Sequence, residues 1–203
     1  VLETGFGHYP NAKAAHLFPY GVGPFLDGLF TQSNFGIVTR IGIWLMPKAE
    51  SVNHFFCAVN KHEDIAAVVD ALRPLRMDGT LRSIVHIGND LRVLSGGTVF
   101  PREQADGALP LPENLRLSMR EGAGVGAWTV SGALYGSKRQ VAAARHALRR
   151  ALKGTKAKTT ILTEGKLRAG AALARLLRGT AAGKRMQARV DLGEALFAMN
   201  RGV

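Results

Sequence analysis

The sequence has 203 residues, only one cysteine and no long apolar run. Cys57 cannot form an internal disulfide by itself, and it cannot build a zinc site from paired cysteines. No apolar run approaches the roughly 18 residues that cross a bilayer, so we expect no membrane segment. Hydrophobic residues make up 46% of the chain and charged residues 21%, a composition that excludes a disordered protein. We therefore expect one large globular domain or two small ones.

Acidic residues are scarce in the last third of the chain. Residues 137–203 hold 16 Lys and Arg against 3 Asp and Glu, a net charge of +13, whereas residues 1–136 hold 11 and 12. Such asymmetry favours an anionic partner, either an acidic protein or nucleic acid, and the alternative is a solvated arginine-rich surface. No aromatic residue interleaves with the basic ones between Tyr135 and Phe197, which disfavours single-stranded nucleic acid.

The chain begins at Val1 without methionine and shows none of the three parts of a signal peptide. Apolar spacing reappears at Phe197 and Met199, just before the last residue. We interpret the sequence as an internal segment of a longer protein. The alternative is a genuine short reading frame.

The usual signatures of catalysis are also missing. The six histidines form no HxxxH pair on a helix, so no metal site is predicted. There is no GxSxG elbow and no phosphate-binding loop, and the glycine run at 122–126 precedes a strand instead of following one. Cys57 lies in an apolar run and is predicted to be a buried core thiol, with a nucleophile as the alternative. These patterns assign no catalytic residue.

Hydrophobic periodicity predicts two similar β-α-β units, which favours an antiparallel or mixed sheet with helices on one face. The first unit has a strand over 52–59, a helix over 62–73 ended by Pro74, and a strand over 80–87. The second has a strand over 127–135, a helix over 137–152 with Ser137 as its N-cap, and a strand over 159–163. Residues 95–124 are predicted to be a surface excursion. Residues 165–189 are predicted to be a helix weakened by glycines.

The stretch 24–47 is the most informative part of the sequence. Residues 5–28 have the glycine and proline content of a loop, and residues 35–46 (FGIVTRIGIWLM) are predicted to be a buried strand. Five residues around the start of this strand could bind a flat or phosphate-bearing ligand. Ser33 and Asn34 supply small hydrogen-bonding side chains, and Gly36 has no side chain to block the ligand. Ile37 and Val38 offer backbone N–H and C=O groups. The alternative is an ordinary turn followed by a bulge in a strand.

Residues 16–47, HLFPYGVGPFLDGLFTQSNFGIVTRIGIWLMP, closely resemble the flavoprotein family of vanillyl-alcohol oxidase, eugenol oxidase and 4-cresol dehydrogenase. Further similar segments lie in colinear order, TGFG at 4–7 before this block and RPLR at 73–76, GALYG at 132–136 and NRGV at 200–203 after it. The segments 95–124 and 155–190 match weakly. The resemblance therefore runs along the whole chain, and its first block is highly specific.

The resemblance implies an α+β fold in which residues 1–48 are the C-terminal part of an FAD-binding domain. Residues 49–203 would be the first part of an antiparallel-sheet cap, or substrate, domain with flanking helices. Family members oxidise 4-alkylphenols by hydride transfer from the benzylic carbon to flavin N5. The corresponding family segment contacts FAD largely through backbone, so the resemblance implies FAD binding by Ser33, Asn34, Gly36, Ile37 and Val38.

The same resemblance places the family's pyrophosphate loop and catalytic residues outside residues 1–203. It therefore assigns no catalytic residue, and it predicts that this chain is inactive alone. Tyr9, Tyr20 and Tyr135 align with none of the family's catalytic tyrosines. The implied partners are a 4-alkylphenol substrate, an electron acceptor (a cytochrome, a copper protein or O₂) and a second copy of the full-length protein.

Overall fold

The computed structural model describes residues 1–18 and 20–201, apart from the side chains of residues 189, 192 and 195–201. Gly202 and Val203, which belong to the NRGV segment, lie outside the described residues. The chain divides into two units, Val1–Pro47 (unit 1) and Lys48–Val203 (unit 2).

Unit 2 is built on a four-stranded antiparallel sheet. Its strands are β1 (Ser51–Val59), β2 (His86–Asn89), β3 (Trp128–Gly136) and β4 (Lys158–Leu162), in the order β2-β3-β1-β4. Strands β1 and β2 run parallel to each other with β3 between them, and so do β3 and β4 with β1 between them. This is the arrangement of a split β-α-β motif, in which two units interleave their strands. The prediction of an α+β fold with two β-α-β units is confirmed.

Six α-helices accompany the sheet within the described part of unit 2. They are α1 (Ile65–Met77), α2 (Asp90–Leu94), α3 (Glu113–Ala123), α4 (Lys138–Ala151), α5 (Glu164–Leu176) and α6 (Ala181–Arg201). Helices α5 and α6 form a hairpin whose turn holds Gly179 at φ +94°, a left-handed conformation that glycine adopts without strain. The single glycine-weakened helix predicted over 165–189 is therefore two helices.

The main core lies between one face of the sheet and helices α1 and α4. Phe55, Cys57 and Val59 alternate along β1 and are fully buried, as the period of a strand requires. The helices contribute residues at helical spacing, Val68 and Leu72 from α1 and Val141 and Leu148 from α4. Helices α1 and α4 lie on this face, but Val52 and Ala133 on the opposite face pack against Leu167 of α5. The prediction of helices on one face only is therefore wrong, since helices cover both faces of the sheet.

A capping box fixes the start of α4. The Ser137 hydroxyl accepts a hydrogen bond from the backbone N–H of Gln140 at 3.2 Å, and the Gln140 side-chain oxygen accepts one from the N–H of Ser137 at 2.9 Å. Two N–H groups that have no partner within the helix are satisfied in this way. Ser137 is the N-cap that the sequence predicts, and it sets the register that buries Val141 and Leu148.

Three predictions for unit 2 need correction. Pro74 does not end α1, which continues to Met77 because proline in the last turn removes a single hydrogen bond next to solvent. The strand predicted over 80–87 is found at His86–Asn89. Before it, the Ser83 hydroxyl accepts a hydrogen bond from the N–H of Ala133, so a side chain takes the place of strand pairing. The predicted excursion at 95–124 contains α3, whose flanking prolines and internal Gly122 obscured its period.

Unit 1 consists of loops and two short 3₁₀ turns, Gly5–His8 and Asp27–Phe30. Aromatic rings pair within it: Tyr20 meets Phe25 edge-to-face with centroids 4.8 Å apart. The buried strand predicted over 35–46 is wrong, since these residues form no strand and their side chains are exposed. A strand needs a neighbour to pair with, and no described residue pairs with this stretch.

Candidate functional site

The five residues of the candidate cofactor site follow the second 3₁₀ turn of unit 1. Gln32, at φ +52°, turns the chain, and the Ser33 hydroxyl donates a hydrogen bond to the carbonyl of Leu29. The hydroxyl therefore fixes the turn and keeps its oxygen lone pairs available as acceptors. All five residues lie on one continuous exposed stretch, and Ile37 is 93% exposed.

Gly36 owes its lack of a side chain to a close aromatic neighbour. A Cβ atom at this position would lie 3.2 Å from Cε1 of Phe30, closer than most carbon contacts in proteins. The Phe30 ring thus occupies the side of Gly36 where we expected a ligand to approach. A flat ligand would have to reach Ile37 and Val38 along the opposite, open side of the backbone.

The backbone around these residues has free hydrogen-bonding groups. Between residues 32 and 47, no N–H or C=O forms a backbone hydrogen bond with any described residue. A row of free N–H and C=O groups fits the edge of a flavin ring, which carries both donors and acceptors. The donor set is therefore compatible with the cofactor that the resemblance implies.

Two side-chain contacts hold the far end of the exposed stretch. Trp44 donates its indole N–H to the carbonyl of His16 at 3.0 Å, and Arg40 lies 3.7 Å from Glu3 as an exposed ion pair. Exposed pairs of this kind contribute little to stability. Large apolar side chains nevertheless remain exposed along the stretch: Phe35, Ile37, Val38, Ile41, Ile43, Trp44, Leu45 and Met46. An exposed run of this density is typical of a surface that another polypeptide covers.

Unit 2 contains a buried charge cluster that no sequence pattern predicted. Asp90 is fully buried and accepts two hydrogen bonds from Arg116, at 2.8 and 2.9 Å. Arg116 also lies 3.3 Å from a ring nitrogen of His62, whose ring meets Trp128 edge-on. This bidentate pair joins the end of β2 to α3. Because 26 residues separate Asp90 from Arg116, no local pattern could have revealed the pair.

Opposing effects set the pKa of Asp90. Burial raises it, but hydrogen bonds from Arg116 and from the N–H of Leu91, together with the charges of Arg116 and Arg120, outweigh burial. The pKa therefore lies below the ordinary value, so the carboxylate is ionised at neutral pH. The charge of Asp90 is balanced by hydrogen-bond partners within the cluster, so the cluster stabilises the fold.

Two other titratable groups lie on β1. Burial lowers the pKa of His54, which favours the neutral imidazole at neutral pH. Burial raises the pKa of Cys57, against a smaller opposite effect of a hydrogen bond from Thr159. A thiol with a raised pKa is a poor nucleophile, which agrees with the prediction of a core thiol.

Neither a metal centre nor a membrane span is found in the part of the chain that the structure describes. No three or more His, Cys, Asp or Glu side chains gather there as ligands would. None of the helices described combines the length and apolar character needed to cross a bilayer.

Tyr135, one of the three tyrosines considered above, lines a shallow groove of about 310 Å³ with Arg82 and Gln140.

Comparison with known proteins gives a consistent result. No family model matches the chain. It is 42% identical over 152 residues to the 1'-carboxy-chondrochloren decarboxylase of Chondromyces crocatus. It is 38% identical over 141 residues to the 4-cresol dehydrogenase [hydroxylating] flavoprotein subunit of Pseudomonas putida. These matches cover 74% and 70% of this chain, but they span only 28% and 27% of the two curated relatives.

Solved structures agree with the sequence relatives. The crystal structure of p-cresol methylhydroxylase with substrate bound matches with a TM-score of 0.68 and 32% identity, over 90% of this chain and 33% of that one. The isoeugenol complex of 4-ethylphenol oxidase from Gulosibacter chungangensis matches with a TM-score of 0.66 and 30% identity, over 94% and 35%. The chain therefore belongs to the vanillyl-alcohol oxidase and 4-cresol dehydrogenase family of FAD-linked oxidoreductases.

Proposed function

We propose that this chain is part of an FAD-dependent oxidoreductase that oxidises 4-alkylphenols. In this proposal residues 1–48 are the C-terminal part of the FAD-binding domain, and residues 49–203 are the first part of the cap domain. The observation that carries it is the colinear likeness to flavoproteins across both units, from the 16–47 block to the GALYG segment on β3. We further propose that the chain is inactive alone, since it spans about a third of the solved relatives.

The residues that would hold FAD are Ser33, Asn34, Gly36, Ile37 and Val38. Their free backbone groups and the acceptor lone pairs of the Ser33 hydroxyl support this assignment. When bound, FAD would accept a hydride from the benzylic carbon of the phenol. The contribution of this chain would be to hold one edge of the ring and to keep water from it with the neighbouring apolar side chains.

The first experiment measures whether the 203-residue chain retains flavin. The chain is incubated with FAD and desalted, and its absorbance is recorded across the near-ultraviolet and visible bands of flavin. We expect a colourless protein, because residues 33–38 provide only one edge of a site. Flavin bands that persist would contradict the proposal that the remaining parts of the relatives are required.

A second experiment tests the proposed residues directly. FAD is titrated against the chain without desalting, and flavin fluorescence reports weak binding. Val38→Pro removes one N–H and should abolish that binding, because a proline cannot donate a hydrogen bond. Ile43→Pro is the matched control, since Ile43 is exposed on the same stretch outside the proposed site. Equal losses in the two variants, or no binding by the unaltered chain, would contradict the role of residues 33–38.

A second candidate reaction is removal of a carboxyl group from a larger phenol. It is favoured by the 42% identity to a decarboxylase, which exceeds the 38% identity to the 4-cresol dehydrogenase subunit. A full-length protein carrying this segment would be mixed, without oxygen, with a 4-alkylphenol or with its side-chain carboxylated analogue. Bleaching of the flavin by the first compound supports 4-alkylphenol oxidation. Release of CO₂ from the second supports decarboxylation.

A further inference from the structure

Helix α4 carries a row of cations with no acidic neighbour. Between Lys138 and Thr163 the sequence contains eight Lys and Arg and no Asp or Glu. Four exposed cations, Arg139, Arg149, Arg150 and Lys153, and the exposed imidazole of His146 lie along the solvent side of the helix and just beyond its end. None of the five forms an ion pair with a residue that the structure describes.

The row lies directly opposite the buried side of the helix. Arg139, His146 and Arg150 are spaced at i, i+7 and i+11, which brings them within about 20° of one line along an α-helix. Val141 and Leu148 point the other way, into the core. With Lys153 just beyond the last turn, the row runs for about 21 Å, at a rise of 1.5 Å per residue. The four cations and His146 therefore form one continuous face that is exposed in the described structure.

Ion pairs within a helix balance part of the positive charge of α1, α3 and α5. Arg73 pairs with Asp70 in α1, Arg116 with Glu113 in α3, and Arg168 with Glu164 in α5, at distances of 3.1 to 3.6 Å. Helix α4 has no ion pair along its solvent side among the described residues. Lys138 at its start pairs with Glu50, and Lys156, which lies beyond its end, pairs with Asp64.

The α5–α6 hairpin also carries exposed cations without an ion pair to a described residue, namely Arg175, Arg178, Lys184 and Arg185. The row on α4 is therefore distinguished by its alignment opposite the buried side of one helix, and not by unpaired charge alone.

Helix stability does not account for the row. Cations in the last turn, such as Arg149 and Arg150, interact favourably with the helix dipole. Arg139 lies in the first turn, where a cation is unfavourable and where α4 has no acidic residue. Arg149 and Lys153 stand four residues apart and repel each other. This repulsion destabilises α4 when no partner is bound, and an anionic partner would reduce it.

We propose that the solvent face of α4 docks an acidic helix or extended acidic segment of a protein partner. The centre of the face is made of Ala142 and Ala143, both exposed, so a partner backbone can approach closely between the cations. Guanidinium groups bind carboxylates bidentately, which sets orientation as well as affinity. No aromatic side chain between residues 136 and 196 could stack on bases, which favours a protein partner over single-stranded nucleic acid.

The test uses the 203-residue chain and a fluorescent alanine-rich helical peptide with glutamates along one face. Fluorescence anisotropy measures binding from about 50 mM to about 300 mM NaCl, a range over which the Debye length falls by more than half. A second peptide has the same composition with the glutamates spread around the helix. We expect the one-face peptide to bind more tightly than the spread peptide, and we expect its binding to weaken as salt rises.

Two variants with equal net charge separate a docking face from general attraction. Arg139→Gln, Arg149→Gln, Arg150→Gln and Lys153→Gln together should weaken binding of the one-face peptide by about tenfold or more. The matched control removes four exposed cations elsewhere: Arg175, Arg178, Lys184 and Arg185, each changed to Gln. It should weaken binding by no more than about twofold, since only long-range attraction is lost. Circular dichroism confirms that both variants remain folded.

A charge swap then tests direct contact. Arg150→Glu should weaken binding, and a peptide with one glutamate changed to lysine should recover it. Three results would overturn the proposal: equal losses in the two four-site variants, no binding of the one-face peptide, or a DNA duplex that binds more tightly than the peptide and loses affinity only in the α4 variant. The last result would assign the same face to nucleic acid.

Discussion

Unit 1 and unit 2 each contain a stretch rich in apolar residues, but the stretch in unit 2 is mostly buried and the one in unit 1 is exposed. Phe55 of unit 2 is fully buried between the sheet and two helices, whereas Phe35 of unit 1 is 75% exposed at the start of an equally apolar stretch. Unit 2 contains the neighbours that a strand requires, because β3 and β4 pair with both edges of β1. Unit 1 offers no such neighbour among its described residues. Strand formation in this protein is thus decided by pairing partners and not by composition.

The contrast bears on the proposed function. The residues that would hold FAD lie in unit 1, whose described residues include no buried apolar side chain, around the start of the exposed apolar stretch 35–46. Unit 2, by contrast, contains the main buried core of the described residues. The comparison predicts that unit 2 sets the measured stability of the chain and that unit 1 contributes little to it.

The largest effect is expected from the same substitution made in each unit. Phe55→Ala removes a fully buried ring and should lower the free energy of unfolding by about 3 to 5 kcal/mol. Phe35→Ala is the control and should change it by less than about 0.5 kcal/mol, because that ring is mostly in solvent. Urea denaturation followed by circular dichroism measures both. Similar losses in the two variants would show that unit 1 packs as tightly as unit 2.

The next effect concerns the buried ion pair. Asp90→Asn removes the buried counter-charge of Arg116 and leaves only the exposed Glu113, so it should cost about 3 kcal/mol at neutral pH. Because the pKa of Asp90 is lowered in the folded state, its contribution is complete above the usual aspartate range, near pH 4, and is lost as pH falls through the folded pKa. The gap in stability between the unaltered chain and the variant should therefore shrink in acid.

Glu113→Gln is the control for this pair. Glu113 contacts the same Arg116 at 3.4 Å, but its side chain is exposed, so the loss should stay below about 0.5 kcal/mol. Urea midpoints at several pH values measure both variants. A gap for Asp90→Asn that stays constant from neutral to acid pH would mean that the ionised carboxylate does not carry the effect.

A smaller effect is expected at Gly132 of β3, which lies opposite Phe55 of β1. A methyl group added at Gly132 would lie 2.7 Å from two ring atoms of Phe55, so Gly132→Ala should cost about 1 to 3 kcal/mol. Gly122→Ala, in α3, meets no atom within 4 Å and should instead raise stability, by up to about 1 kcal/mol. Thermal unfolding of the two variants should shift the midpoint in opposite directions. Shifts of the same sign would show that the Phe55 ring moves aside freely.

The smallest effect belongs to the capping box of α4. Ser137→Ala removes the acceptor for the N–H of Gln140 and should cost about 1 kcal/mol. Ser118→Ala, on the exposed side of α3, is the control and should be neutral or slightly stabilising. Both are measured by urea denaturation. A loss in Ser118→Ala as large as in Ser137→Ala would remove the special role of the cap.

Local patterns predicted the parts of unit 2 whose signals lie within a few residues. The apolar run that ends at Val59 predicted β1, and Ser137 with the apolar spacing after it predicted α4. Helix α3 was missed because Pro112 and Gly122 bracket a sequence that resembles a loop. The five residues of the candidate site remain a prediction from the sequence. The sequence did not predict that Phe30 would close one side of Gly36, a contact that depends on how the turn at Gln32 folds.

The sequence alone therefore determined the α+β class, the central strands, the cap of α4 and membership of the flavoprotein family, because these depend on period, capping chemistry and short specific motifs. Only the tertiary structure decided the strand order, the pairing of Asp90 with Arg116 and the exposure of residues 35–46. Each of these depends on which distant segments meet. Such encounters are governed by packing and pairing across the fold, which no short stretch of sequence encodes.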